Sequence, residues 1–166
     1  MNRHVLICIG LVVLLLNNGC INTYLRPTTT CKPLSTFDTL VISPFNGDAA
    51  FVEEDRYKGI PHDIAVATTE ELKDQVENSH MFRKVIQSSE CVKHAVKIDG
   101  KIYSLIHHRG FHAGIRGQLI NCETGESLYK FNNDDEQDSE SYKLPSQIAE
   151  KLTEGMRAKL KCDKSN

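Results

Sequence analysis

Two residue pairs in this sequence have the types and spacing to hold a metal ion: Cys91 with His94, three apart, and His107 with His112, five apart. Zinc takes thiolate sulfur and imidazole nitrogen in a tetrahedral shell. If Arg109-Gly110 is a two-residue turn, His107 stands opposite His112 and His108 opposite Phe111, and directly opposed strand residues lie about 5 Å apart. Such a histidine pair could share a metal, or sense protons at about pH 5–6. Against a metal, no carboxylate stands where it would orient the imidazoles, and Cys91 and His94 need not meet the hairpin in space. The expectation is therefore no metal and no cofactor, with His107, His112, Cys91 and His94 as weak candidates and a polar hairpin tip as the plainer reading. Glu53-Glu54-Asp55 reads as solvated surface rather than an acid/base pair. Asn132 to Glu140 carries five acids and no cation but lacks the central glycine and terminal glutamate spacing of a calcium loop, and reads as a solvated loop. No phosphate-binding glycine loop, G-x-S-x-G, H-E-x-x-H or C-x-x-C occurs, so no enzyme is expected.

The remaining thiol chemistry depends on the N-terminus. Met1 to His4 is a short polar start with Arg3, and Val5 to Leu16 is an unbroken apolar run. Twelve helical residues reach only about 18 Å, too short for a hydrocarbon core of about 30 Å, so the pattern reads as a cleaved signal peptide over residues 1–19. Asn17 is a poor −3 residue for ordinary signal peptidase. Gly19-Cys20 directly after the apolar run resembles a bacterial lipobox, although Asn17 stands where the usual leucine would and Leu16 is one place early. The resemblance implies that Cys20 receives acyl chains and becomes the mature N-terminus, and more than one chain anchors stably. The alternative is a secreted protein with Cys20 in a disulfide. Ile21, rather than aspartate, after the cysteine favours the outer membrane under the enterobacterial sorting pattern.

The mature chain would be Cys20–Asn166, 147 residues, enough for one domain with a core. Its formal charge moves from −2 to −3 on losing Arg3, so no basic excess attracts nucleic acid. Asn22 to Thr36, with two prolines, six Ser/Thr and no apolar period, reads as part of a lipidated tether over residues 20–37, or else as a packed arm. A single domain is expected over 38–162, followed by a tail over 163–166.

Within that domain, Thr39 to Ser43 is a β-branched strand ended by Pro44. Ile60-Pro61 opens a helix whose apolar stripe is Ile64, Thr68, Leu72 and Val76. Met81 to Ile86 is a second strand, completing a βαβ unit with parallel strands. Val96–His107, Phe111–Asn121 and Ser127–Phe131 follow as an antiparallel meander. Leu144-Pro145 opens a last helix with Ile148, Leu152, Met156 and Leu160 in its stripe. The predicted fold class is an α/β (α+β) sandwich: a mixed sheet of about five strands with two helices on one face.

Removing Cys8 and Cys20 leaves Cys31, Cys91, Cys122 and Cys162, compatible with zero to two disulfides. If strands one, two and four all run the same way, Cys91 and Cys122 lie at the finishing end of strand one and the last helix brings Cys162 there. Cys31 sits on the N-terminal arm. A disulfide among Cys91, Cys122 and Cys162 is expected, with the pairing left open.

Several stretches resemble the small domains of bacterial lipoproteins of the CsgG/LpoB/TolB N-terminal type. Thr39-to-Phe45 (TLVISPF) is similar to their first strand, Met81-to-Val85 to their F-x-x-V step, Lys97-to-Ile102 to their l-x-G-x-I strand and Gln118-to-Glu126 to their D-x-x-T-G-E hairpin. The resemblance covers roughly Thr39–Leu160. It implies fold more than function: partner-binding accessories of the cell envelope, with one pore-forming branch. No extra amphipathic hairpin is present to supply pore strands. The expected function is an outer-membrane-anchored, periplasm-facing lipoprotein acting as a non-catalytic accessory with an envelope protein partner. The alternatives are a self-assembling envelope or secretion component and, more weakly, a metal-binding lipoprotein.

Overall fold

The computed structural model describes residues 24–28 and 32–161, apart from the side chains of 134–136. Seven strands form one mixed sheet: β1 (Arg26–Pro27), β2 (Thr39–Ile42), β3 (Phe51–Val52), β4 (Lys84–Gln87), β5 (Ala95–His107), β6 (Phe111–Asn121) and β7 (Ser127–Asp138). Their order is β1-β7-β6-β5-β2-β4, with the short β3 also paired to β5. Two long helices, α1 (Ile60–Ser79) and α2 (Leu144–Ala158), pack on each other and on the sheet. The α+β class is as expected. The strand count is higher than the expected five because β1 and β3 have two residues each, too few for any periodic signal.

Parallel pairing explains the apolar run of β2. It lies between β4 and β5, parallel to both, and Leu40, Val41 and Ile42 are fully buried. An interior parallel strand has no wet face and so does not alternate. Helix α1 joins β2 to β4 as the βαβ pattern requires. Its stripe Ile64, Thr68, Leu72 and Val76 is buried, and His80 closes it with φ +54°. The α2 stripe Ile148, Leu152 and Met156 is buried against the same core, while Leu160 lies just past the helix end and is half-buried. Buried Thr69 is satisfied at both ends: its hydroxyl accepts from the Phe45 N–H at 2.9 Å and donates to the Ala65 carbonyl at 2.9 Å. It thereby ties the chain leaving β2 to α1.

Two segments differ from the sequence reading. Residues 132–138, read as the start of a solvated acidic loop, continue β7, which pairs with β6 as far as Phe111↔Asp138. A strand forms there because β6 offers a ladder, whatever the local sequence prefers. The described part of the expected tether is packed. Leu25 and Leu34 are fully buried, and Arg26–Pro27 pairs with Lys130 and Tyr129 of β7. The Tyr129 hydroxyl donates to the Lys32 carbonyl, Lys32 meets Glu126 at 2.6 Å, and the Leu34 N–H donates to the Lys159 carbonyl at 2.8 Å. Leu25 sits over Gly155, where an added Cβ would come within 3.1 Å of its Cγ. The packed domain thus begins well before residue 38.

Leu25→Ala and Leu34→Ala are each expected to lower unfolding free energy by about 2–5 kcal/mol, measured by denaturant melts. Losses within about 0.5 kcal/mol would return the segment to a tether.

Candidate functional site

Three regions of the described residues bear on the chemistry considered above. The first is the end of the sheet where β2 and β5 both start. Cys91 and Cys122 form a disulfide there, with Cα atoms 5.2 Å apart, which joins the β4–β5 connection to the β6–β7 turn. The Cys122 N–H donates to the Ala95 carbonyl at 3.0 Å. The expectation placed both cysteines at the finishing end of the first strand. They lie at its starting end instead, because β5 runs parallel to β2 and β6 therefore runs back down. In the turn, the Asn121 side chain accepts from the Glu123 N–H at 2.9 Å, and Glu123 meets His94 Nδ1 at 3.0 Å. Cys91, one of the weak metal candidates, is thus held in a disulfide, and His94, another, lies against Glu123. Cys20, Cys31 and Cys162 lie outside the described residues.

The second region is the β5–β6 hairpin tip, where the register differs from the expected one. His107 pairs with Phe111, and Ile106 with His112. The loop has three residues, His108-Arg109-Gly110, with Arg109 at φ +57° and Gly110 at φ +142°. One extra loop residue moves His107 and His112 to opposite faces. The His107 ring lies 4.7 Å from Phe111 and 5.2 Å from Tyr57, with Glu54 at 3.9 Å from Nδ1. His112 faces the His108 carbonyl at 3.2 Å through Nε2. The length of β5 from Ala95 to His107, roughly 40 Å, separates this tip from the end that carries His94. Among the described residues no group of three His, Cys, Asp or Glu side chains could hold a metal.

The third region is the sheet face turned away from the helices, which the sequence reading did not single out. Alternation sends Asp99, Lys101 and Tyr103 of β5 outward, together with Arg116 and Gln118 of β6 and Lys130 and Asn132 of β7. Register then sets Lys101 opposite Arg116, Arg116 opposite Asn132, Asp99 opposite Gln118, and Lys130 opposite both Gln118 and Arg26. Of these side chains, Asp99, Lys101, Arg116, Gln118, Lys130 and Asn132 line an open cleft of about 660 Å³. The Arg116 guanidinium lies 5.1 Å over the Tyr103 ring. Gly114 makes that position available, since a Cβ there would come within 2.7 Å of the Tyr103 ring. The strand alternation that reveals the outward residues was legible; which cations stand opposite each other was not.

A cluster of exposed charges leads into α2. The Glu140 N–H, hydrogen-bonded to Asp138, holds the Asp138 carboxyl below the usual carboxylate range. The hydrogen bond from Lys143 lowers Glu140 likewise, and the same contact raises Lys143.

The architecture defines a small α/β domain with two helices on one side of a mixed sheet. Solved structures share it. The PelC dodecamer from Paraburkholderia phytofirmans matches with a TM-score of 0.52 at 15% identity, covering 78% of this chain and 96% of that one. A single-substitution variant of the PelC dodecamer from the same organism matches at 0.51 and 11%, covering 80% and 95%. At such identities the likeness concerns the fold alone. These are PelC structures and not CsgG, LpoB or TolB structures. No protein-family model matches the chain, and no curated protein matches it.

Replacing both Cys91 and Cys122 by serine, or reducing the bond, is expected to cost about 2–4 kcal/mol of stability, seen as a fall in melting temperature. An unchanged melting temperature, or alkylation of both thiols without reductant, would contradict the pairing. Asp138 and Glu140 have lowered folded-state pKa values, so their stabilisation is complete above the ordinary carboxylate range, about pH 4, and is lost as pH falls through the lowered values. Asp138→Asn should therefore shrink the acid-side loss of stability and leave its slope near neutral pH unchanged, as followed by melts across pH.

Proposed function

We propose that the chain is a lipid-anchored, periplasm-facing lipoprotein of the bacterial outer membrane, acting as a non-catalytic accessory that binds an envelope partner. The observation that carries this reading is the position of Cys20. It follows the apolar run Val5–Leu16 after Asn17-Asn18-Gly19 and precedes the packed Leu25 by five residues. From Cys20 to Tyr24 the chain can span at most about 14 Å, at about 3.5 Å per residue. A domain held that closely would work at the membrane surface, in place of the reach of about 50 Å that a fifteen-residue tether would allow. The open sheet leaves β4 as an edge strand, and strand addition there is one mode of partner docking.

A second reading, a self-assembling envelope component, is favoured by one observation: the solved structures of this fold named above are of PelC dodecamers.

Metabolic labelling with a palmitate analogue in a bacterial host tests the anchor. Label in the wild-type chain and none in Cys20→Ser is the expected result, with the wild type in outer-membrane fractions. Equal labelling of both, or a soluble wild-type chain, would overturn it. Cross-linking in intact envelopes then separates the readings: one dominant partner band supports the accessory, and a ladder of self-products supports assembly.

A further inference from the structure

We propose that the outward cleft on β5, β6 and β7 is a binding site for an acidic sugar chain, with Lys101, Arg116 and Lys130 taking its carboxylates. The inference rests on the geometry of the sheet face and not on the lipid anchor.

Charge is the first argument. The whole chain is formally −2, yet this cleft gathers three cations around one acid, Asp99. Register makes the arrangement costly. Lys101 stands directly opposite Arg116, and at the rim Lys130 stands directly opposite Arg26. Like charges in directly opposed positions destabilise a sheet. No carboxylate among the described residues lies within ion-pair distance of Lys101, Arg116 or Lys130. Other cations of the chain do have a carboxylate partner, as in Lys32–Glu126, Lys58–Asp55 and Lys143–Glu140. An external anion would supply the charge that the described residues do not.

Preorganisation is the second argument. The Tyr103 ring holds the Arg116 guanidinium in place, and Gly114 gives that ring its room. A guanidinium fixed in this way loses less side-chain freedom when it takes a carboxylate in the two-point geometry it favours.

The other lining groups choose the class of anion. Gln118, Asn132 and Asp99 interleave with the cations. Amides and a carboxylate donate to and accept from hydroxyl groups. Alternation of cationic and hydroxyl-binding groups fits a ligand whose negative charges are spaced by hydroxyl-bearing rings. From β5 across β6 and β7 to β1 the row spans about 14 Å at about 4.8 Å per strand, the width of a few sugar rings. A bilayer surface fits less well: it is flat where the site is concave, and its continuous anionic plane would meet Asp99.

Isothermal titration of the full chain in neutral detergent with oligogalacturonate tests the proposal, with uncharged malto-oligosaccharide of equal length as reference. Saturable binding to the acidic oligomer is expected, weakening as salt rises, with no binding of the uncharged one. Arg116→Glu and Lys101→Glu should each weaken binding by about tenfold or more. Lys93→Glu makes the same charge change outside the cleft and should leave binding nearly unchanged. Circular dichroism melts of each variant establish that the fold persists; should either cleft variant fail to fold, Lys101→Gln and Arg116→Gln replace it, with the same loss expected. Absence of saturable binding, equal binding of the uncharged oligomer, or equal loss in Lys93→Glu would overturn the proposal. Displacement of the oligomer by equimolar glycerol phosphate would also overturn it, since the cleft would then be a site for phosphate headgroups.

Discussion

A sheet has two faces, and among the described residues helices cover only one of them. That constraint organises the molecule. Leu72, Val76, Ile148 and Leu152 close the inner face together with Ile98, Ile102, Ile115 and Leu119, all fully or almost fully buried. Two helices do not cover the whole width of the sheet, and the N-terminal segment finishes the job beside β7. Leu25 drops over Gly155 and Leu34 docks beside the end of α2. What remains uncovered must tolerate water, which is why the opposite face of β5, β6 and β7 is built from lysine, arginine and amides. The outward cleft follows from the covering of the inward face.

The two ends of the hairpin strands have different roles. At one end the Cys91–Cys122 bond and the Asn121–Glu123 turn fasten connections that would otherwise be held by few apolar contacts. At the other, β5 and β6 run on past β2 into a tip where Tyr57, His107 and Phe111 pack together. The tip therefore carries its own small aromatic cluster, with Arg56 over Tyr57 at 4.7 Å. The cluster gives His107 a packing role where the sequence had offered a metal-binding one.

The legible parts of the fold were those with a period. The four-residue stripe of α1 and the alternation of β5 announce burial on one side, and both elements have nearly the expected bounds. The parts that were not legible depend on a partner or on a single backbone angle. Nothing in residues 132–138 asks for a strand; β6 imposes it. Nothing in His108-Arg109-Gly110 announces that Arg109 adopts positive φ, yet that angle fixes which histidine faces which neighbour. Two-residue β1 has no pattern to read, although Leu25 and Leu34 were visible as the apolar members of a polar stretch. The disulfide shows how such readings mix: one of the expected pairings is present, but at the other end of the sheet, because the direction of β5 is set by β2 and not by the hairpin that follows.

The far part of β7 has a further consequence. Among the described residues, β1 pairs with β7 only at Tyr129 and Lys130, while β7 continues to Asp138. Such an edge is a template on which another chain can lay its own backbone. Here the template is written in acids: Asp134, Asp135, Glu136 and Asp138 fall within one short stretch. Like charges along an edge oppose its pairing with a second copy of the same edge. The opposition is only as strong as the charge. Acid, which neutralises carboxylates, and multivalent cations, which screen them, both weaken that opposition.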